Sequence, residues 1–252
     1  MNMKNCRNLL LAAAVLVAAS SCSDKVQVKG TLAGAPDTQV VVKQLSGSTL
    51  VTLDTLKTDA SGAYSCKIDV LKGQPQFVYL FKGDTKIASL LLQKGDKVKV
   101  ASDTLGKYSV EGSEESEKLR QVEEDFAAFM DKFSADAAAG DNAAASKDYI
   151  EYYRGCVKYI MTNSKSLTSI PVLYQKVNEN FPIFSQATDA ILFQNVHDSL
   201  MTVYPESKYL EALKKEAEKR FNIFNLSQRV QNARESSYPD LNLPSVDGTK
   251  VK

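Results

Sequence analysis

Between residues 26 and 111 the chain alternates short apolar or β-branched runs with turn-forming clusters of Gly, Asp, Ser and Pro. In the run over residues 63–70, a period of two puts Tyr64, Cys66, Ile68 and Val70 on one face and polar side chains on the other. Short strands with such separators are typical of an antiparallel β-sandwich or barrel, and Cys66 is predicted to face its core. The predicted strands cover residues 26–32, 39–44, 50–56, 63–70, 77–81, 87–92, 97–101 and 108–111.

After residue 113 the apolar spacing changes from two to three and four. Ser113 followed by three early glutamates is a helix start, because a small polar cap and early acids complement the exposed amides and the positive end of the dipole. The inward face of this helix is predicted to carry Leu119, Val122, Phe126, Phe129, Met130 and Phe133, with Glu123, Glu124, Asp131 and Lys132 outside. Gly140, Asp141 and Asn142 then predict two helix ends joined by a turn.

Further helical patterns follow. The next helix presents Tyr149, Tyr153, Cys156, Val157 and Ile160 on one face, so Cys156 is also predicted to lie in a core. Later helices are predicted over about residues 170–181, 188–204 and 207–225, with prolines near their boundaries. In the last of these, Leu210, Leu213, Ala217 and Phe221 are predicted to face inward, and Glu211–Lys215 and Glu216–Arg220 to pair four residues apart.

The fold class that follows is α+β. An N-terminal antiparallel β-sandwich or barrel-like module over residues 26–112 precedes an all-α helical bundle over residues 113–235.

The C-terminal stretch, residues 238–252, has the pattern of a β-hairpin. Leu241 and Leu243 alternate with polar neighbours, and Asp247-Gly248 sits between two valines. A lone hairpin is marginally stable in water and needs a sheet or helix over its apolar face. The stretch is therefore expected to be the beginning of a further domain, with residues 236–252 as linker and first strands.

The N-terminus has the features of an export signal. Lys4 and Arg7 precede an apolar run over residues 9–19 and then small residues, which predicts a secretory signal peptide over residues 1–21. A helical run of eleven residues reaches only about 16 Å, roughly half of the hydrocarbon core of a bilayer. Ala19-Ser20-Ser21-Cys22 resembles the lipobox of bacterial lipoproteins. This resemblance implies that Cys22 carries the lipid, residues 22–25 are a tether and the membrane is contacted through the anchor.

The net charge and the cysteines argue against two classes of function, nucleic-acid binding and redox chemistry by a cysteine pair. The 252 residues carry 31 basic and 30 acidic side chains, a net charge of +1, so no net field would hold the chain on nucleic acid. Of four cysteines, Cys6 leaves with the signal and Cys22 takes the lipid. Cys66 and Cys156 remain, ninety positions apart, which is neither a disulfide framework nor a Cys-x-x-Cys redox pair.

Sequence patterns that carry chemistry are missing from the chain. It has no glycine-rich phosphate loop, nucleophile elbow or His-Glu-x-x-His. His197 is the one histidine, placed beside Asp198, and it lacks a second ligand at zinc spacing, so a position on the surface or at the edge of a core is expected. We therefore expect no catalytic residues, no cofactor and no metal site, and the prediction is that the chain is not an enzyme.

Three parts of the chain resemble one group of proteins. Residues 58–65 and 90–100, followed by Val110-Glu-Gly-Ser113, are similar to the N-terminal domain of unknown function that precedes thioredoxin-like modules in many Gram-negative lipoproteins. Residues 204–213 resemble the helical insert of the same proteins. Residues 238–252 resemble the opening hairpin of thioredoxin-like domains of the thiol:disulfide interchange (TlpA/ResA-like) and alkyl hydroperoxide reductase (AhpC/TSA) type. The Trp-Cys-x-x-Cys or peroxidatic Cys of those domains is not in this sequence.

These resemblances imply a lipid-anchored lipoprotein of a Gram-negative cell envelope, facing the periplasm or associated with the outer membrane. Its expected role is non-catalytic: to position, dimerise or dock a thioredoxin-like module. The partner would be that module or a second copy of the chain. The alternative is a stand-alone binding lipoprotein that uses the sandwich face or a helical groove for a glycan, a peptide or a partner protein. A third reading is a structural envelope lipoprotein without a small ligand.

Overall fold

The computed structural model describes residues 25–235 and the residue pairs 243–244 and 250–251, with side chains described over residues 25–232. The predicted signal peptide, Cys22 with most of its tether and most of residues 236–252 lie outside the described residues.

Eight strands form as predicted, and they make two four-stranded sheets. The first sheet has the order β4-β1-β7-β8 and the second has the order β3-β2-β5-β6. The strands are β1 (Lys25–Leu32), β2 (Gln39–Ser46), β3 (Thr49–Lys57), β4 (Ala63–Asp69), β5 (Gln76–Lys82), β6 (Thr85–Leu92), β7 (Lys97–Ser102) and β8 (Tyr108–Glu111). With the helices that follow, they confirm the α+β fold class.

The first core lies between the two sheets. Val28 and Val98 from one sheet and Val42, Leu80 and Leu90 from the other are all buried there. β4 alternates as predicted, because Tyr64, Cys66 and Ile68 are buried while Ser65, Lys67 and Asp69 are exposed. In β1, β4 and β7 the alternation of buried and exposed residues thus sets which face of the sheet is turned to the core.

One pairing corrects the expectation of an antiparallel module: β1 and β7 run parallel, with Val28 opposite Val98 and Val100 opposite Gly30. The chain leaves the first sheet after β4, forms β5 and β6 in the second sheet, and returns beside β1 as β7. A strand that returns after a crossover can run in either direction, and local alternation contains no information on that choice.

The second module is helical. Its helices are α1 (Glu114–Ala138), α2 (Asn142–Thr162), α3 (Ser169–Leu173), α4 (Ala190–Met201) and α5 (Tyr209–Glu235), with a 3₁₀ turn over Ala187–Asp189. The Ser113 hydroxyl caps α1 by accepting from the Ser116 N–H, as the sequence predicted. Gly140, with φ of +76°, ends the turn after α1, and the Asp141 carboxylate accepts from the Ala144 N–H to start α2.

Two helix predictions were wrong in extent. The helix predicted over residues 170–181 ends at Leu173, and the chain then forms a small hairpin of β9 (Lys176–Asn178) and β10 (Phe181–Pro182). The Asn178 side chain accepts from the Asn180 N–H at 3.0 Å, a local turn bond that competes with helix. The last helix does not stop near residue 225 but continues to Glu235.

A second core joins the helices to the outer face of the second sheet. Phe77 of β5 and Leu91 of β6 are buried against it, together with Leu119, Leu213 and Phe193 of the helices. The Ser116 hydroxyl accepts from the Leu91 N–H at 3.0 Å and donates to the Leu91 carbonyl at 3.1 Å. A side chain of α1 thus supplies hydrogen-bond partners for backbone groups of β6, which is an edge strand of its sheet. The architecture is thus three layers: sheet, sheet and helices.

At the C-terminal end, β11 (Leu243–Pro244) pairs antiparallel with β12 (Lys250–Val251), and Leu243 stands opposite Val251. This pairing agrees with the predicted hairpin, whose turn lies outside the described residues. Among the helices of the described residues, none has the length and apolar character that crossing a membrane requires.

Candidate functional site

A cleft of about 590 Å³ opens where the second sheet meets the helices, and we name it the junction cleft. Phe77 and Tyr79 of β5 form one wall, while α3 and α5 form the other. Its lining consists of Leu45, Gly47, Ser48, Phe77, Tyr79, Ile170, Pro171, Tyr174, Lys208, Tyr209, Ala212 and Leu213. The volume lies within the range of small-molecule sites, and the lining is mostly carbon.

The walls of the junction cleft are held by Tyr209. Its hydroxyl accepts from the buried Phe77 N–H at 2.9 Å and donates to the Leu45 carbonyl at 3.3 Å. The Tyr209 and Phe77 rings meet edge to face with centroids 5.0 Å apart. Burial raises the pKa of Tyr209 to about 12, so the hydroxyl stays protonated at neutral pH.

Polar groups are few at the junction cleft. Lys208 is the one charged residue of the lining; its ammonium lies 5.4 Å from the centroid of the Tyr209 ring, and burial lowers its pKa from the ordinary value. Lys208 forms no ion pair with any described residue. The hydroxyls of Tyr79 and Tyr174 have no hydrogen-bond partner within the described part of the chain.

The outer stripe of α5 is a second feature of this helix, and we define it as Ile223, Leu226 and Val230. Their spacing of three and then four residues puts them on one helix face, opposite the core-facing Leu213 and Ala217. They are 53%, 63% and 45% exposed. Phe221, predicted to face inward, is itself 40% exposed, because the second half of α5 extends beyond the packed helices.

The two described thiols lie in separate cores, as the sequence predicted. Cys66 is buried between the sheets and Cys156 among the helices, and both are unpaired. Burial raises the pKa of each thiol to about 11, with Asp54 adding to the effect at Cys66. The Cys156 thiol donates to Gln175 Oε1 at 3.6 Å, beside a cleft of about 440 Å³ between α1 and α2. A thiol with this pKa is a weak nucleophile at neutral pH.

His197 lies at the edge of the helical core, half-buried, with its Nδ1 2.9 Å from Oδ1 of the exposed Asp198. This agrees with the position predicted for it. Among the described residues, no three His, Cys, Asp or Glu side chains gather as metal ligands. Cys22, the predicted lipidation site, lies outside the described residues.

Glu123 is a residue that the sequence placed wrongly. It was predicted on the outer face of α1, but its carboxylate turns to the sheet and lies 2.6 Å from Lys86 Nζ. It also accepts hydrogen bonds from the hydroxyls of Ser89 at 2.7 Å and Tyr108 at 3.1 Å. The misplacement arises because a helix packed on a sheet contacts it over a wider arc than the apolar positions alone indicate.

The eight strands and the serine contacts of α1 lie within one recognisable unit. Residues 26–119 match the family model described as a domain of unknown function (DUF4369). The DUF4369 match runs through all of the sandwich and ends at Leu119, which is buried in the second core. It therefore includes Ser113 and Ser116, the residues that attach α1 to β6. This agrees with the predicted domain of unknown function. No curated protein matches the chain.

The junction cleft and the outer stripe are the surfaces that the sequence reasoning missed. The stripe had a signal, since apolar residues recur at positions 223, 226 and 230, but the helix was predicted to end at residue 225. The cleft had none, because its lining comes from four segments that are distant in sequence.

Proposed function

We propose that this chain is a non-catalytic module of the cell envelope that docks a thioredoxin-like domain on the outer stripe of α5. The observation that carries the proposal is the stripe itself: three apolar side chains, about half exposed, on the side of the helix that faces away from the core. Contiguous exposed apolar side chains on a helix favour contact with a partner over contact with water.

The position of the stripe supports a thioredoxin-like occupant. Leu243, the first residue of the described hairpin, follows the end of α5 at Glu235 by eight residues, which span at most about 29 Å. From Glu235 back to Ile223 the helix covers about 18 Å. A domain that begins with this hairpin is therefore within reach of the whole stripe. The hairpin is also the segment that resembles the opening of thioredoxin-like domains.

The thiols support a non-catalytic role for the described residues. Cys66 and Cys156 are buried in different cores, and the pKa of each thiol is raised to about 11. Exchange between a thiol and a disulfide needs an accessible thiolate. In the proposal the redox chemistry belongs to the docked domain, and this chain supplies the envelope anchor at Cys22 and the docking helix.

The first test is genetic. Sequencing the DNA that follows codon 252 tests for the domain, and we expect a thioredoxin-like reading frame, either continuous or adjacent. Absence of such a frame would remove the thioredoxin-like occupant.

The second test is a titration of that domain, expressed separately, against the chain. Replacing the stripe by I223Q, L226Q and V230Q introduces glutamine, a good helix former, and removes the apolar contact, so the domain should bind at least about tenfold more weakly. The matched control is Met161→Gln on α2, a methionine that is 72% exposed on another helix. Equal affinity for the triple variant and the control would contradict docking on the stripe.

A further inference from the structure

We infer that the junction cleft binds a small anionic amphiphile, with its apolar body between β5 and α5 and its acidic head at Lys208. This site is separate from the outer stripe. Ala212, which lines the cleft, and Leu226 of the stripe are fourteen residues apart on α5, about 21 Å along the helix.

The walls of the junction cleft are held in place by specific contacts, as in a preformed binding site. Its walls come from the β2–β3 turn, β5, α3 and α5, and the two hydrogen bonds of the Tyr209 hydroxyl fix β5 and β2 to α5 at its base. The opposing α3 wall is held at Tyr174, whose ring meets the buried Phe193 edge to face at 5.7 Å. Preformed clefts of this size with apolar walls are the usual sites of small ligands.

The charge of Lys208 favours an anionic ligand. Lys208 is the one ionisable cation of the lining, it has no ion-pair partner among the described residues, and its ammonium is partly desolvated at the rim. A partly desolvated ammonium attracts a bound anion and repels a bound cation. The Tyr79 and Tyr174 hydroxyls of the lining bond to no described residue and are donors open to a ligand. Burial raises the pKa of both hydroxyls, and the negative charges of Glu123 near Tyr79 and of Glu216 near Tyr174 add to the effect. Lys208 is therefore the residue on which the preference for an anion rests.

The lining argues against a glycan. Sugar hydroxyls need several fixed donors and acceptors, whereas half of the cleft residues have purely hydrocarbon side chains: Leu45, Phe77, Ile170, Pro171, Ala212 and Leu213. An alkyl or ring body of a lipid-like acid replaces water on such walls without leaving polar groups unpaired.

The test uses the full chain carrying Cys22→Ser, which prevents lipidation, and isothermal titration with dodecanoate below its micelle concentration. We expect one dodecanoate per chain. Dodecyltrimethylammonium, the same alkyl body with the opposite charge, should bind at least about tenfold more weakly. Binding of several molecules per chain, or equal binding of the two amphiphiles, would overturn the inference.

Two variants locate the site. A212W fills the cleft and should weaken dodecanoate at least about tenfold. K208Q removes the charge and keeps a polar side chain, should weaken dodecanoate about fivefold and should remove the preference over dodecyltrimethylammonium. K208Q changes an exposed side chain and so remains informative even if A212W alters the fold, which circular dichroism would report. Unchanged binding to a folded A212W or to K208Q would contradict the inference.

Matched controls separate this inference from the proposed docking. Lys214→Gln removes an exposed ammonium of α5 outside the cleft, and the I223Q/L226Q/V230Q variant removes the outer stripe. Both should bind dodecanoate within about twofold of the unsubstituted chain. Loss of binding in the stripe variant would put the amphiphile on the stripe and overturn the cleft as its site, whatever the outcome for the thioredoxin-like domain.

Discussion

The hydroxyl oxygen of Tyr209 lies 2.9 Å from the backbone nitrogen of Phe77, a residue 132 positions earlier in the chain. Both groups are buried, and the same hydroxyl donates to the Leu45 carbonyl at 3.3 Å. The start of α5 is thereby tied to β5 and to the end of β2. This contact joins the sandwich and the helices into one unit and sets the base of the junction cleft.

Removing that hydroxyl should destabilise the whole protein. In Tyr209→Phe the Phe77 N–H stays buried without an acceptor, so we predict a loss of about 1–3 kcal/mol in the free energy of unfolding. Urea denaturation followed by circular dichroism measures this. Tyr174→Phe is the control, because the Tyr174 hydroxyl bonds to no described residue, and it should change stability by less than about 0.5 kcal/mol. Equal effects of the two substitutions would contradict the structural role of the Tyr209 hydroxyl.

The local pattern of apolar residues was sufficient to predict the strands and the buried face of β4. It could not predict how segments distant in sequence pack together. The alternation in β4 predicted Tyr64, Cys66 and Ile68 as core because one face of that strand meets the other sheet. In β6 every residue from Ile87 to Leu92 is buried, since the inner face meets the first sheet and the outer face meets the helices. That run, apolar except for Ser89, was the sequence signal for the third layer.

The candidate sites were harder to predict for a physical reason. The junction cleft depends on how α3 and α5 lie across the second sheet, which no local period encodes. The parallel pairing of β1 with β7 depends likewise on a crossover through the other sheet. The outer stripe was accessible in principle, because residues 223, 226 and 230 keep helical spacing, and only the predicted helix end hid it.

The thiols should be inert in the native protein. With a pKa of about 11, each thiol is ionised to about one part in ten thousand at pH 7. We predict that the chain carrying Cys22→Ser does not accelerate insulin reduction by dithiothreitol. Its Cys66 and Cys156 should react with an aromatic disulfide reagent only at the rate of unfolding, and rapidly in urea. Immediate labelling of the folded protein, or turnover of insulin, would refute this prediction.

The turn before β4 should make stability depend on pH. The Asp59 carboxylate accepts from the Ser61 hydroxyl at 2.6 Å and from the Ala63 and Ser61 N–H groups at 2.9 and 2.8 Å, and these bonds lower its pKa. Because the folded pKa lies below the unfolded value of about 3.9, the stabilisation is full above that value and is lost as pH falls through the folded pKa. Asp103 has the same direction of shift, from the Lys107 and Leu105 N–H groups.

The measurement is the urea midpoint at pH 7 and at pH 3. Asp59→Asn should lower the midpoint at pH 7 and should differ less from the unsubstituted chain at pH 3. Asp84→Asn is the control, because Asp84 lies in the β5–β6 turn and accepts no hydrogen bond from the described residues. If Asp59→Asn leaves the midpoint unchanged at pH 7, the carboxylate does not stabilise the turn.

Lipid attachment at Cys22 has its own prediction. The unsubstituted chain should fractionate with membranes and incorporate a labelled fatty acid, because a bacterial lipoprotein carries at least two acyl chains and two suffice for stable anchoring. Cys22→Ser should abolish both, whereas Cys6→Ser, a change within the predicted signal, should retain both. Membrane association that survives Cys22→Ser would contradict the anchor.

Hydrogen exchange along α5 tests the docking account most directly. On adding the thioredoxin-like domain, amides of residues 223–230 should exchange at least about tenfold more slowly, since a covered helix face opens less often. Amides around Met161 on α2 should keep their rates and serve as the internal control. Unchanged exchange over residues 223–230 at saturating domain would contradict docking on the outer stripe.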